Sequence, residues 1–116
     1  MKKLLLLLMV FMLVGCQQQE VNESKYKDGS YNTTVHGYGG DFDMKVTIKD
    51  DKILDVIVGE NNETPSIGGV AIEQLILQMK EKQNNDIEVV SGATKTSNGM
   101  INAYKEILSM AKNKAN

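Results

Sequence analysis

Near residue 65 the hydrophobic pattern changes its period, and this limits the possible folds more than any other feature of the chain. Before it, apolar residues recur at every second position. Tyr31, Thr33 and Val35 alternate with Asn32, Thr34 and His36; Phe42, Met44, Val46 and Ile48 alternate with Asp43, Lys45 and Thr47. Successive side chains of a strand point to opposite faces, so these runs predict half-buried strands over 30–36 and 42–48. A third strand is predicted over 52–58, with Leu54, Val56 and Val58 on one face and Ile53, Asp55 and Ile57 on the other. Asp50-Asp51 suits a tight hairpin turn between the last two strands, because a short Asp tolerates positive φ. Gly37-Tyr38-Gly39-Gly40 reads as a flexible loop between the first two.

After Pro65 the spacing becomes helical. Ile72, Leu75, Ile76 and Met79 stand at i, i+3, i+4 and i+7, which predicts a helix over 70–82 ending at Asn84-Asn85. Met100, Ala103, Tyr104, Ile107, Leu108 and Ala111 mark a second helix from about Thr96, with Thr96 or Ser97 as its N-cap. Ile87–Val90 reads as a short strand between the helices. The order βββ-α-(β)-α predicts an α+β domain, a small antiparallel sheet packed by two helices.

The first sixteen residues follow a different logic. Lys2-Lys3 is followed by the apolar run Leu4 to Val14, 11 residues, against the roughly 20 that a spanning helix requires. It therefore reads as a secretory leader. Its end, Leu13-Val14-Gly15-Cys16, resembles the lipobox of bacterial lipoproteins, in which the Cys thiol is acylated and the peptide is cut just before it. Residues 17–27 are polar apart from Val21 and Tyr26 and read as a flexible tether. The expected organisation is a signal peptide over 1–16, a linker over 17–27 and one domain over 28–116, lipid-anchored on the extracytoplasmic face of the cell membrane.

Without the leader, 35 of 100 residues are hydrophobic and the net charge is −4. That suffices for one small domain. An acidic chain with no Arg lacks the cationic footprint that nucleic acid demands. A single Cys and a single His exclude an internal disulfide and a Cys-based zinc site, and leave little for a His-based metal site or a nucleophilic triad. His36 reads as an exposed strand residue rather than a proton donor, and Met100 as core.

One segment invites a chemical reading. In Val89-Val90-Ser91-Gly92-Ala93-Thr94-Lys95-Thr96-Ser97, hydroxyls and small residues meet the start of a helix. Free N–H groups and the helix dipole favour an anion there, and Lys95 adds a positive charge. The same residues also read simply as a Ser/Thr-rich capping turn.

Ser91-Gly92-Ala93-Thr94 resembles the SGAT flavinylation motif of the FMN-binding domain family. That domain occurs in the sodium-translocating NADH:quinone reductase, in the Rnf electron-transport complex and in small electron-transfer lipoproteins. Further segments resemble the family in the same order: Lys27-Asp28-Gly29-Ser30-Tyr31 its opening strand, Gly37-Tyr38-Gly39-Gly40 its glycine loop, Asp50-Asp51-Lys52-Ile53 its hairpin, and Glu63-Thr64-Pro65-Ser66-Ile67-Gly68 its Glu-Thr-Pro-Gly-Ile-Gly loop. The chain departs from the pattern at Glu88, where Asp is usual, and at Asp51, where the hairpin usually has Gly.

The resemblance implies FMN attached as a phosphoester to Thr94, with Ser91, Gly92 and Ala93 around the attachment point. It brings in Glu63, Thr64 and Tyr38 as cofactor-binding candidates; Glu63 and Thr64 equally suit a loop leading into the helix, and Tyr38 an exposed loop. A flavin transferase using FAD and Mg²⁺ would install the group, so the chain would be an electron carrier and a substrate of that enzyme, with no catalytic residue of its own. A membrane electron donor or quinone-linked oxidoreductase is the expected partner. The alternative is a non-redox surface lipoprotein, for adhesion, sensing or assembly, that keeps the fold without flavin.

Overall fold

Period-two patterning becomes a three-stranded antiparallel sheet of order β1-β2-β3. The computed structural model describes residues 25–112; the leader, Cys16 and residues 17–24 of the tether lie outside the described residues. Strand β1 spans Gly29–Gly37, β2 Gly40–Lys49 and β3 Lys52–Val58. Gly37 pairs with Gly40, leaving Tyr38-Gly39 as a two-residue connection. Lys49 pairs with Lys52 across Asp50-Asp51. Both turn aspartates have positive φ, 50° and 63°, the sign combination that matches the twist of a two-residue hairpin.

The predicted facing of β3 is corrected. Thr47 pairs with Asp55 but Ile48 with Ile53, so Leu54 is an extra residue in the ladder. A bulge of this kind reverses the alternation on one side of it. Ile53 therefore joins Val56 in the core, while Leu54 and Ile57 are exposed.

Residues Pro65–Gly69 form a wide π turn, in which the N–H of Gly69 donates to the Thr64 carbonyl at 2.9 Å. It runs directly into helix α1, Val70–Lys82. Helix α2 spans Thr94–Ala111. The core lies between the sheet and the helices: Val35, Met44, Val46 and Ile48 meet Leu75 and Met79 of α1 and Met100, Tyr104 and Ile107 of α2. Gly99 lets α2 lie close on β1, since a Cβ there would stand 2.3 Å from the His36 carbonyl oxygen. The Thr33 hydroxyl donates to Glu106 at 3.0 Å across the same contact.

Three other expectations change. First, residues 87–90 form no strand. The Glu88 backbone is satisfied instead by the Gln78 side chain, which accepts from its N–H (2.8 Å) and donates to its carbonyl (3.0 Å), and the Val90 N–H donates to the Ser97 hydroxyl. With these groups occupied, no ladder is needed to bury Ile87. Second, α2 starts at Thr94, two residues earlier than expected, and neither Thr96 nor Ser97 caps it. Both are buried. Third, ordered contacts begin before Asp28. The Asp51 carboxylate accepts the N–H groups of Lys25 and Tyr26 at 2.8 Å, and Tyr26 pairs with Lys112. No described helix is long and apolar enough to cross a membrane.

Candidate functional site

Glu63 organises one end of the domain. It is buried, and its carboxylate accepts the Gly39 N–H at 2.7 Å, the Tyr38 N–H at 3.3 Å and the Thr96 hydroxyl. Three segments distant in sequence are thereby joined: the β1–β2 connection, the loop before α1 and the first turn of α2. A buried carboxylate is tolerated because both of its oxygens accept hydrogen bonds, three in all. The space around it is full. A Cβ on Gly37 would come within 2.7 Å of one carboxylate oxygen, and one on Gly68 within 2.9 Å of the other.

The segment before α2 is built from the other side. The Ser97 hydroxyl donates to the Ala93 carbonyl at 2.7 Å and accepts the Val90 N–H at 3.0 Å. The Ala93 N–H donates to the Val90 carbonyl at 3.0 Å, closing a tight turn over 90–93. Gly92 has φ +87°, a left-handed conformation that L side chains rarely adopt, and this accounts for glycine at that position. Ala93 is buried, so its methyl helps to seat the turn. Thr94 and Lys95 are exposed as the first two residues of α2. Ala93, at the N-cap position, offers no side-chain hydrogen bond, so the positive end of the helix dipole is left to an external acceptor.

Between these two constructions lies an open cleft of about 510 Å³. Six of the seven cofactor-binding candidates line it: Tyr38, Glu63, Thr64, Gly92, Ala93 and Thr94. Ser91 is exposed beside the cleft but does not line it. Glu63 contributes wall rather than a free carboxylate, because its oxygens face the protein. Tyr38 (73% exposed) and Ile67 (52%) give the cleft an unusually apolar rim for surface residues. A second hollow of about 530 Å³ lies between β1 and α2, and Thr94 and Lys95 line both. Thr94 thus stands on a ridge with space on either side. His36 borders the second hollow, and its Nδ1 lies 2.8 Å from the Asp41 carboxylate, both side chains being exposed.

Sequence reasoning missed Thr96 and Ser97 as structural partners and Ile67 as a cleft residue. A signal for the first two was present. Ser97 falls three, four and seven residues before Met100, Ile101 and Tyr104, so the buried stripe of α2 extends back through it. Ile67 gave no such signal, because a π turn has no repeating period to read.

An open cleft with apolar side walls, a free helix start, a lysine and an accessible hydroxyl suits a ligand that joins a flat ring system to a phosphate. The comparisons agree. The sequence profile of the FMN-binding domain matches residues 37–109, from the glycine connection almost to the end of α2. The chain is 32% identical over 87 residues to the NADH:acrylate oxidoreductase of Vibrio harveyi, covering 75% of this chain and 9% of that protein. It is 32% identical over 91 residues to a Treponema pallidum protein without an assigned function, covering 78% of this chain and 25% of that one. It therefore corresponds to a small part of either relative. The crystal structure of a Clostridium perfringens protein matches with a TM-score of 0.59 and 27% identity over 74% of this chain and 88% of that one. Profile, relatives, fold and cleft together establish that this chain belongs to the FMN-binding domain family.

Proposed function

We propose that the chain is an electron carrier on the extracytoplasmic face of the membrane, anchored through an acylated Cys16 and carrying FMN as a phosphoester of Thr94. The observation that carries the reading is the position of the Thr94 hydroxyl. It is exposed at the first residue of α2, next to a glycine held at φ +87° and at the junction of two hollows. A transferase can reach a hydroxyl so placed, and the flavin has space beside it.

Each nearby residue has a role in this reading. The open N–H groups of the first turn and the Lys95 ammonium stabilise the phosphate charge. Tyr38 and Ile67 supply apolar contact for the ring. Glu63 acts indirectly, by fixing the loops that form the walls. Bound flavin supplies one- and two-electron redox chemistry, and the protein supplies position and electrostatics. A flavin transferase would join the FMN unit of FAD to the Thr94 oxygen; the hydroxyl proton is lost and AMP leaves. Covalent attachment suits an extracytoplasmic carrier, since a released cofactor is lost by dilution. The match to a small part of an NADH:acrylate oxidoreductase supports an electron-transfer role, with donor and acceptor sites on other proteins or domains. A quinone-linked membrane donor fits such a place.

The test is co-expression of the full chain with a flavin transferase. In-gel flavin fluorescence and a mass gain of FMN minus water are expected, and both are lost in Thr94→Ala. Labelling that survives this substitution places the acceptor elsewhere. A wild-type chain that stays colourless and unlabelled removes the covalent reading and favours a non-redox surface lipoprotein. Mass analysis of the mature N-terminal peptide tests acylation of Cys16 separately.

A further inference from the structure

The two ends of α2 lie far apart. The helix has 18 residues, so at 1.5 Å per residue Thr94 and Ala111 are about 25 Å apart along its axis. Thr94 marks the cleft. At the other end the chain that leads back to Cys16 is fastened: Lys27 N–H donates to the Ala111 carbonyl at 2.8 Å, and Tyr26 pairs with Lys112. These backbone contacts hold Lys25 and Lys112 side by side.

Lys105 lies seven residues before Lys112, on the same face of the helix. Lys25, Tyr26, Lys105, Ser109 and Lys112 share a hollow of about 350 Å³ with no carboxylate in its lining. The three lysines are exposed, and none of them forms an ion pair among the described residues. Adjacent charges are balanced locally: Lys27 stands beside Asp28, and Lys49 and Lys52 flank Asp50 and Asp51. The Asp51 carboxylate accepts the backbone N–H groups of Lys25 and Tyr26 and lies near the Lys25 charge without pairing with it. Lys25, Lys105 and Lys112 thus gather around one hollow, with Asp51 near Lys25 and the Glu106 carboxylate turned to Thr33, on a domain that is acidic as a whole.

We propose that this lysine cluster docks onto the anionic headgroups of the bilayer that carries the chain's own anchor, so that the Thr94 cleft faces away from the membrane. The proposal rests on the reading of Cys16 as the anchor. Cys16 lies nine residues before Lys25, a reach of at most about 30 Å, so an anchored domain stays close to the surface. A tether alone leaves every orientation open. Each lysine near an anionic surface adds roughly a fivefold preference, and three together give on the order of 100-fold in favour of one orientation. Such a domain presents its cofactor end to partners that reach about 25 Å above the headgroups, the length of α2.

Lysine footprinting on the full chain tests this. The anchored protein is reconstituted in phosphatidylcholine vesicles with or without 30% phosphatidylglycerol, and acylation of each lysine by a membrane-impermeant ester is followed by mass spectrometry. Lys25, Lys105 and Lys112 should react about fivefold or more slowly in the anionic vesicles, with Lys45 and Lys95 unchanged and the contrast lost in 0.5 M salt. Replacing Lys25 and Lys105 with Gln should cut the slowing at Lys112 in the anionic vesicles to less than twofold. Slowing of Lys95 instead turns the cleft toward the membrane and overturns the proposal; uniform slowing or none does the same. If Cys16 carries no acyl group, the anchor reading fails on its own mass, and the same protection pattern with added vesicles still decides whether the cluster binds them.

Discussion

At its C-terminal end α2 is tied to the beginning of the domain through the pairing of residues 26–27 with 111–112, whereas at its N-terminal end no side chain among the described residues caps it. The first end contributes order. The second forgoes capping stability, about 1 kcal/mol for a good N-cap, and gains open N–H groups beside an exposed hydroxyl. Yet the open end is not loosely built. Everything just behind it is bonded: Glu63 to three donors, and Ser97 to the turn over 90–93. The exposed edge at Thr94 is backed by rigid support.

Removing the support behind the edge has the largest expected effect. Glu63→Ala leaves the N–H groups of Tyr38 and Gly39 and the Thr96 hydroxyl without their acceptor. The expected loss is about 3 kcal/mol or more, read as a lower urea midpoint. Glu63→Gln keeps one acceptor oxygen and should fall between the variant and the wild type. Thr94→Ala, by contrast, removes an exposed side chain and should stay within about 0.5 kcal/mol of the wild type while losing flavin labelling entirely. If Thr94→Ala destabilises as much as Glu63→Ala, the division between support and reactive edge is wrong.

Gly92→Ala comes next. The space around Gly92 is empty, so any effect comes from backbone conformation alone. At φ +87° an L residue is strained, and a loss of about 1 kcal/mol is expected, with slower flavin labelling because the turn relaxes. Unchanged stability with unchanged labelling would show that the turn tolerates a side chain.

Tyr104 tests the interior in the opposite direction. Its side chain is fully buried, and its hydroxyl has no hydrogen-bond partner among the described residues. Burial, with a smaller contribution from Tyr26, pushes the phenol well above its ordinary range, so it is neutral at any working pH. Tyr104→Phe deletes an unsatisfied polar atom and keeps the ring. A gain of up to about 1 kcal/mol is expected, and a loss would mean that the hydroxyl has a partner.

How far these contrasts could be read in advance depends on the kind of interaction. Strands, helices and most of the core followed from periodicity, because burial of Val46 or Ile107 is written in spacing. The facing of Ile53 did not, since a bulge at Leu54 is decided by pairing across the sheet. Nor did the absent strand at 87–90, where the Glu88 backbone bonds to Gln78, ten residues away, instead of to a ladder. At the site, the residue types pointed to the cleft through a family resemblance. The role of Glu63 as a buried clasp needed three dimensions, because its partners lie 24, 25 and 33 residues away.

The smallest expected effect belongs to the tied end. The hydrogen bonds from Tyr26 N–H and then Lys25 N–H, helped by the nearby Lys25 charge, hold the Asp51 carboxyl below the usual carboxylate range. Because the folded value is the lower one, the stabilisation is fully present above the unfolded value of 3.8 and is lost as pH falls through the folded value. The group is solvent-exposed, so the effect should be modest. Wild type should lose thermal stability below about pH 4 more steeply than Asp51→Asn, which has no charge to lose there. At neutral pH Asn can still accept the two N–H groups and tolerate a positive φ, so the variant should melt only slightly lower. Parallel melting profiles for the two proteins below pH 4 would show that the ionised carboxylate does not hold this end. Order there would then rest on the backbone pairing of residues 26–27 with 111–112.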